Sequence, residues 1–266
     1  MRCCFDPSEY TGLPDTEPCP QTLDVPSIIR GLDALYAQGR ENEAQDYLER
    51  WLREAQTVGD WRAELSLTSE LLGQYRRSMD GEKGLAAVER ALALIRAHRL
   101  GRTVSGATVL LNVATTLGCF GEHEDALPVF RHVSRVYAEQ LDPLDYRFAG
   151  LFNNMAQSHA ALGEFSEAEA LFLSAARIME GLEGGGCEIA VTMCSLAELY
   201  NEADPEDGRI ADCIERAWEC LDDPGLKRDG YYAFMASKCV PVFDQLGFFL
   251  YAKDLEERIR TIHEGT

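Results

Sequence analysis

The sequence predicts an all-α chain of about six helical hairpins, each stacked on the next. Three observations carry this expectation. First, residues recur at an interval of 42: Asn112, Ala114, Gly121, Ala126 and Phe130 answer Asn154, Ala156, Gly163, Ala168 and Phe172. An internal repeat of that length marks a hairpin array. Second, small and large apolar residues recur at helical spacing within each interval. Ala156 and Ala168 let two helices approach closely, while Leu171 and Phe172 fill space against a neighbour. Third, a glycine such as Gly163 stands between the two halves, where a left-handed backbone can stop the first helix. A single hairpin cannot bury both of its faces, so stacking supplies the core.

The elements follow in order. Residues 1–23 form an extension with Pro7, Pro14, Pro18 and Pro20, which cannot be one helix. A loosely ordered tail is expected there; the alternative is a strap capping the apolar face of the first hairpin. Unit one, about 24–61, is shorter by two, since Ala44, Leu48 and Trp51 precede Gly84, Val88 and Ala91 of unit two (62–103) by 40. Units three (104–145) and four (146–187) hold the register best. In unit four, Ser166 and Glu169 read as a capping box opening the second helix. Unit five (188–228) carries 203-ADPEDG-208 between its helices, which inserts one residue and places Ala197 and Tyr200 one step early. Unit six (229–264) has Pro241 inside its first helix, where a kink is expected. It also has Gly247, Ala252 and Ile259 in register, and the apolar run Phe248, Phe249, Leu250, Tyr251.

The pattern of Ala156, His159, Gly163, Ala168, Phe172 and Ala175 resembles the tetratricopeptide repeat, with 42 residues rather than the usual 34, as in kinesin light chain-like and related bacterial members. His159 departs from the Tyr or Leu usual at its position. The resemblance implies a right-handed α-solenoid with the first helices lining a concave groove. Carried onto this chain, that groove takes Ser66, Ser69, Glu70, Arg76 and Arg77 from unit two, and Thr108, Asn112 and Thr115 from unit three. Unit four contributes Asn153, Asn154 and Gln157; unit five, Ser195, Glu198, Asn201 and Glu202; unit six, Phe234, Ser237, Lys238 and Gln245. Gly118, Ala160 and Ala161 leave room beside them.

Composition narrows the chemistry. The 266 residues are 46% apolar, which supports a folded chain. With 45 acidic against 25 basic residues the formal charge is −20. That argues against nucleic acid and against an anionic membrane surface, both of which need clustered cations. No run of eighteen apolar residues occurs, so no membrane span is expected. Nine cysteines, an odd number, with no apolar leader at the N-terminus suggest a reduced, cytoplasmic protein. No phosphate loop, zinc-protease, paired-cysteine or nucleophile-elbow motif is present. The chain is expected to be non-enzymatic, with no cofactor and no metal. His123 and His132, expected on facing helices of one hairpin, could share a metal only as a minor alternative. Cys187 with Cys194, and Cys213 with Cys220, lie seven apart and are expected to pack as small hydrophobes. Cys3 and Cys4 stand apart in the extension.

The expected function is a protein-interaction module that holds an extended peptide or partner protein. Glu70, Arg76, Arg77, Asn112, Thr115, Asn153, Asn154, Gln157, Ser195, Glu198 and Lys238 form the candidate peptide-binding face. An amide side chain has both a donor and an acceptor to meet a peptide backbone. Asn112 and Asn154, one repeat apart, could clamp successive peptide units; the alternative is that they bond to the neighbouring repeat. Gly150, Val191 and Ser195 beside them carry no cation, so the carboxylate clamp of co-chaperone members is not expected. About 23 residues before the first repeat are too few for the helix-turn-helix of peptide-pheromone sensors. The other functions weighed are a scaffold that self-associates through the C-terminal unit, possible as a homodimer, and a regulatory subunit of a larger complex.

Overall fold

The computed structural model describes residues 5–10, 12 and 22–264. Among them there are twelve α-helices and no strand. The helices come in consecutive packed pairs. They are α1 (Val25–Ala37) with α2 (Ala44–Val58), α3 (Trp61–Arg77) with α4 (Gly81–Ala97), and α5 (Val104–Cys119) with α6 (His123–Gln140). Then come α7 (Tyr146–Ala161) with α8 (Phe165–Glu180), α9 (Gly186–Ala203) with α10 (Arg209–Asp222), and α11 (Gly230–Gln245) with α12 (Phe249–Glu264). The fold is thus all-α, a succession of helical hairpins. The chain divides into two compact units, 1–141 and 142–266.

The starts and stops have local causes. Asp24, Asp60, Thr103, Asp145 and Asp229 cap the first helices α1, α3, α5, α7 and α11 by accepting backbone N–H bonds. Gly121, Gly163 and Gly247 take φ of +85°, +75° and +87° in the turn after α5, α7 and α11. Met79, the register equivalent of Gly121, takes φ +55° after α3 with a side chain present. The second helices begin almost at once. The carbonyl of Glu164 accepts from the amide of Ala168 at 3.1 Å, so α8 starts before Ser166 and that residue caps nothing. The expected capping box is therefore absent. Glu164 instead bonds through its carboxylate to Nδ1 of His159, and Glu169 accepts from Tyr200 and pairs with Arg209 of the next hairpin. Pro241 lies within α11, as Pro128 lies within α6, and each helix continues through its proline as one element.

In unit 1 the core runs from Ile28, Leu48 and Leu67 through Leu72 and Ile95 to Leu110 and Phe130. In unit 2 it includes Ala156, Phe172, Ala197, Ile214, Phe243 and Leu255. One repeat position is held in turn by Tyr75, Leu117, His159, Tyr200 and Phe243, all buried. The unusual histidine therefore sits in the core, satisfied by Glu164. Cys187, Cys194, Cys213, Cys220 and Cys239 are buried thiols of unit 2, whereas Cys119 is exposed. Burial pushes Cys187 and Cys213 up to about 11, so these are inert packing groups.

Of the N-terminal extension, the described residues 5–10 are packed against the repeats. Phe5 and Tyr10 are buried, their rings stacked with centroids 4.6 Å apart. They meet His132 edge-on, at 5.5 and 6.2 Å. Glu9 pairs with Arg96 at 2.8 Å. The short helical turn Pro7–Tyr10 thus packs on α4, α6 and the loop between α4 and α5, not on the first hairpin. Gly101 is what admits it, since a Cβ there would lie 2.4 Å from the Tyr10 carbonyl oxygen. His132 belongs to α6 together with His123, so the two are not on facing helices. Its Nε2 bonds the Gly101 carbonyl at 2.8 Å, and burial holds the imidazole below its ordinary pKa. Cys3 and Cys4 lie outside the described residues.

Candidate functional site

Each first helix keeps one stripe out of the core, at spacings of three and four residues. On α5 it is Ser105, Thr108, Asn112, Thr115 and Cys119; on α3 it is Ser66, Glu70, Gly73 and Arg77. In unit 2 it is Arg147, Gly150, Asn154, Gln157 and Ala161 on α7. Glu188, Val191, Ser195, Glu198 and Glu202 repeat those places on α9, and Tyr231, Phe234, Lys238, Pro241 and Gln245 on α11. None of these side chains is buried. The α7-to-α9 offset is one residue short of 42 because the register of unit five is shifted. Neighbouring first helices touch: α3 with α5 in unit 1, and α9 with α7 and with α11 in unit 2.

In unit 1 the valley between α3 and α5 is polar. Asn112 Nδ2 donates to Ser69 Oγ at 2.9 Å. Arg76 Nη1 donates to the Asn112 carbonyl at 3.2 Å and to Thr116 Oγ1 at 2.8 Å. Arg77 Nη1 donates to Tyr36 Oη at 2.8 Å, its guanidinium 5.2 Å from the centre of that ring. Thr115 bonds back to the Leu111 carbonyl. Desolvation, helped by the charge of Asp33, raises the Glu70 carboxyl.

In unit 2 the amides divide. Asn153 Nδ2 donates to Thr192 Oγ1 at 2.9 Å, and that oxygen lies 3.1 Å from Asn153 Oδ1; Thr192 is only 1% exposed. The Thr192 hydroxyl proton has the Glu188 carbonyl at 2.8 Å as its nearer acceptor, so the Asn153 amide braces α7 against α9 chiefly through its N–H donation to Thr192. Asn154, the next residue, lies on the open stripe, with the exposed Gln157 one turn on. Ser195 is half-buried on α9 and Glu198 exposed; desolvation raises the Glu198 carboxyl. The Lys238 ammonium lies 4.4 Å from the centre of the Phe234 ring. Tyr231 donates to Glu188.

Thr116 and Thr192 were not legible as site residues. Both occupy apolar-face positions, and only the pairing of helices shows that they hold Arg76 and Asn153. Tyr231 carried a usable signal, since it falls in the stripe register seven residues before Lys238. Among the described residues, no group of three or more His, Cys, Asp or Glu side chains is placed to hold a metal ion. No helix among them is long and apolar enough to cross a membrane.

Residues 148–184 match the family model described as tetratricopeptide repeat. This segment is similar to a tetratricopeptide repeat. It contains most of α7 and all of α8, with the Ala156, Gly163, Ala168 and Phe172 signature. Solved structures share the tetratricopeptide-like fold. One is a candidate kinesin light chain from Podosopora anserina with nearly identical TPR-like repeats, 16% identical, TM-score 0.55, aligned over 74% of this chain and 93% of that one. Another is BtubC (BKLC) from P. vanneervenii, 16% identical, TM-score 0.51, aligned over 92% of each chain. A third is a Rap protein complexed with Competence and Sporulation Factor, 14% identical, TM-score 0.53, aligned over 90% of this chain and 74% of that one. No curated protein matches the sequence.

Proposed function

We propose that this chain is a non-enzymatic protein-interaction module whose first-helix stripes hold an extended segment of a partner protein. The observation that carries it is the stripe itself. At one repeat position after another, the first helices leave amide, hydroxyl and charged groups out of the core, and neighbouring first helices pack side by side. An extended segment presents unpaired N–H and C=O groups, which amides can meet without demanding one sequence. Within unit 2, Asn154 and Gln157 are the best-placed amides, because their heads are not used in bracing helices. The Rap neighbour, whose structure includes a bound factor, supports this use of the fold.

The test follows from the geometry. Asn154→Ala with Gln157→Ala removes two outward amides and no described helix-to-helix bond. Capture of a partner from native lysate should fall at least tenfold while helicity and melting stay unchanged. Undiminished capture would sink the proposal. Asn112 is a poorer probe, because its loss also breaks the bond to Ser69.

Self-association through the C-terminal hairpin is the second reading. Phe249 and Leu250 are 62% and 82% exposed. Phe248 and Tyr251 instead turn inward, Tyr251 stacking 4.4 Å from Trp218. A molar mass by light scattering that stays at one chain across concentration would exclude it.

A further inference from the structure

Three Lys or Arg side chains among the described residues are not exposed: Arg76, Arg147 and Arg258. Arg147 pairs with Asp145, and Arg258 with Asp222 and Asp254. Arg76 has no ion-pair partner among the described residues; its bonds go to a backbone carbonyl and a hydroxyl. The chain carries a surplus of twenty acidic charges, so scarcity of carboxylates does not explain this. Leaving a guanidinium partly buried without a counter-charge is unfavourable, and desolvation duly works against its protonated form.

The geometry shows what the arrangement offers. Thr116 Oγ1 and the Asn112 carbonyl fix Nη1 in the valley between α3 and α5 and leave its charge intact. The other terminal nitrogen, Nη2, lies beside Gly73. A Cβ on Gly73 would come 3.9 Å from Nη2 and meet no other atom within 4 Å. That room for a side-chain atom lies at a half-buried place on the α3 stripe, between exposed Glu70 and Arg77. Arg77 adds positive charge beside it, though its own fork is turned to Tyr36. The Asn112 amide is turned to Ser69. Arg76 is therefore a pre-oriented donor with room beside it.

We propose that Arg76 receives the side-chain carboxylate of an Asp or Glu in the partner segment, seated over Gly73 between α3 and α5. This rests on the interaction function proposed above. A guanidinium fork matches a planar carboxylate. A dianionic phosphate fits less well, because Glu70 on the same stripe and the acidic chain repel a second charge more strongly.

The experiment is a titration of the full chain at low ionic strength, read by NMR at the Arg76 side-chain Nε–H and the Thr116 amide. The probes are N-acetylglutamate N-methylamide, the matching glutamine compound, and N-acetylalanine with a free α-carboxylate. The glutamate compound should give a saturable shift at least tenfold tighter than the glutamine compound. Arg76→Gln should abolish the Thr116 shift, and Arg76→Lys should keep part of it, since an ammonium carries the charge without the fork. Circular dichroism establishes that each variant folds. No saturable shift, equal response to glutamine, or survival in Arg76→Gln would overturn the carboxylate site. Tighter binding of N-acetylalanine would overturn the side-chain assignment in favour of a chain end. The function proposed for the stripes fails by a different result, undiminished partner capture by the Asn154 and Gln157 variant.

Discussion

In unit 1 the first helices are tied by Asn112 to Ser69 and by Arg76 to Thr116. In unit 2 they are tied by Asn153 to Thr192 and by Tyr231 to Glu188. The backbone solution is common to both, but the polar braces differ in residue type and charge, and only Ser69 and Asn153 share a register position. Another tie does recur. Tyr75 donates to Glu49, which also pairs with Lys83; Tyr200 donates to Glu169, which also pairs with Arg209. A tyrosine of one first helix thereby links the second helix of the preceding hairpin to that of its own. What repeats is what closes a hairpin onto its neighbour. What varies lies in the valleys between first helices, the place proposed above for a partner segment.

Three measurements break or sharpen that comparison. The largest effect belongs to the shared core. Phe130 and Phe172 are 0% and 2% exposed and one repeat apart. Phe130→Ala and Phe172→Ala should each cost about 3–5 kcal/mol. Local hydrogen exchange should show the loss in unit 1 and in unit 2 respectively. Costs differing by more than about 2 kcal/mol would show that the two units do not use the repeat equally.

The braces come next. Thr192→Val strands a half-buried asparagine and should cost about 1–3 kcal/mol by denaturant unfolding. Ser69→Ala, at a more open site, should cost about 0.5–1.5 kcal/mol. The reverse order would mean that the α3–α5 brace matters more than its burial indicates. The smallest effect concerns the turn. Met79 stands in the left-handed conformation that glycine takes in the equivalent turns. Met79→Gly should raise stability by up to about 1 kcal/mol, because relief of the Cβ clash exceeds the added chain entropy. A lower melting temperature would mean that the Met79 side chain makes a compensating contact.

Much of the fold was legible because its signals are backbone signals. Glycine at Gly121 and Gly163 follows from φ, and alanine at Ala126 and Ala168 follows from close helix approach. Asn153 and Asn154 show where legibility stops. Both lie mid-helix in a polar phrase, and no local rule separates them. The pairing of α7 with α9 does so, by giving Thr192 to one and open space to the other. Ser166 failed as a cap for a related reason: S-x-x-E is a good signal, but the turn at Gly163 returns the chain to helix at Phe165, two residues too soon. The placement of Phe5 and Tyr10 was likewise unreadable, because the socket is assembled from Gly101 and His132, far away in the chain.

The sequence by itself determined the repeat length, the hairpin unit, the small residues at close contacts and the candidate polar face, since each depends on spacing along one chain. Tertiary structure alone decided which amide is spent on bracing, where the N-terminal aromatics are buried, and that Arg76 has no carboxylate partner among the described residues. Those facts depend on distances between residues dozens of positions apart, which periodicity does not encode.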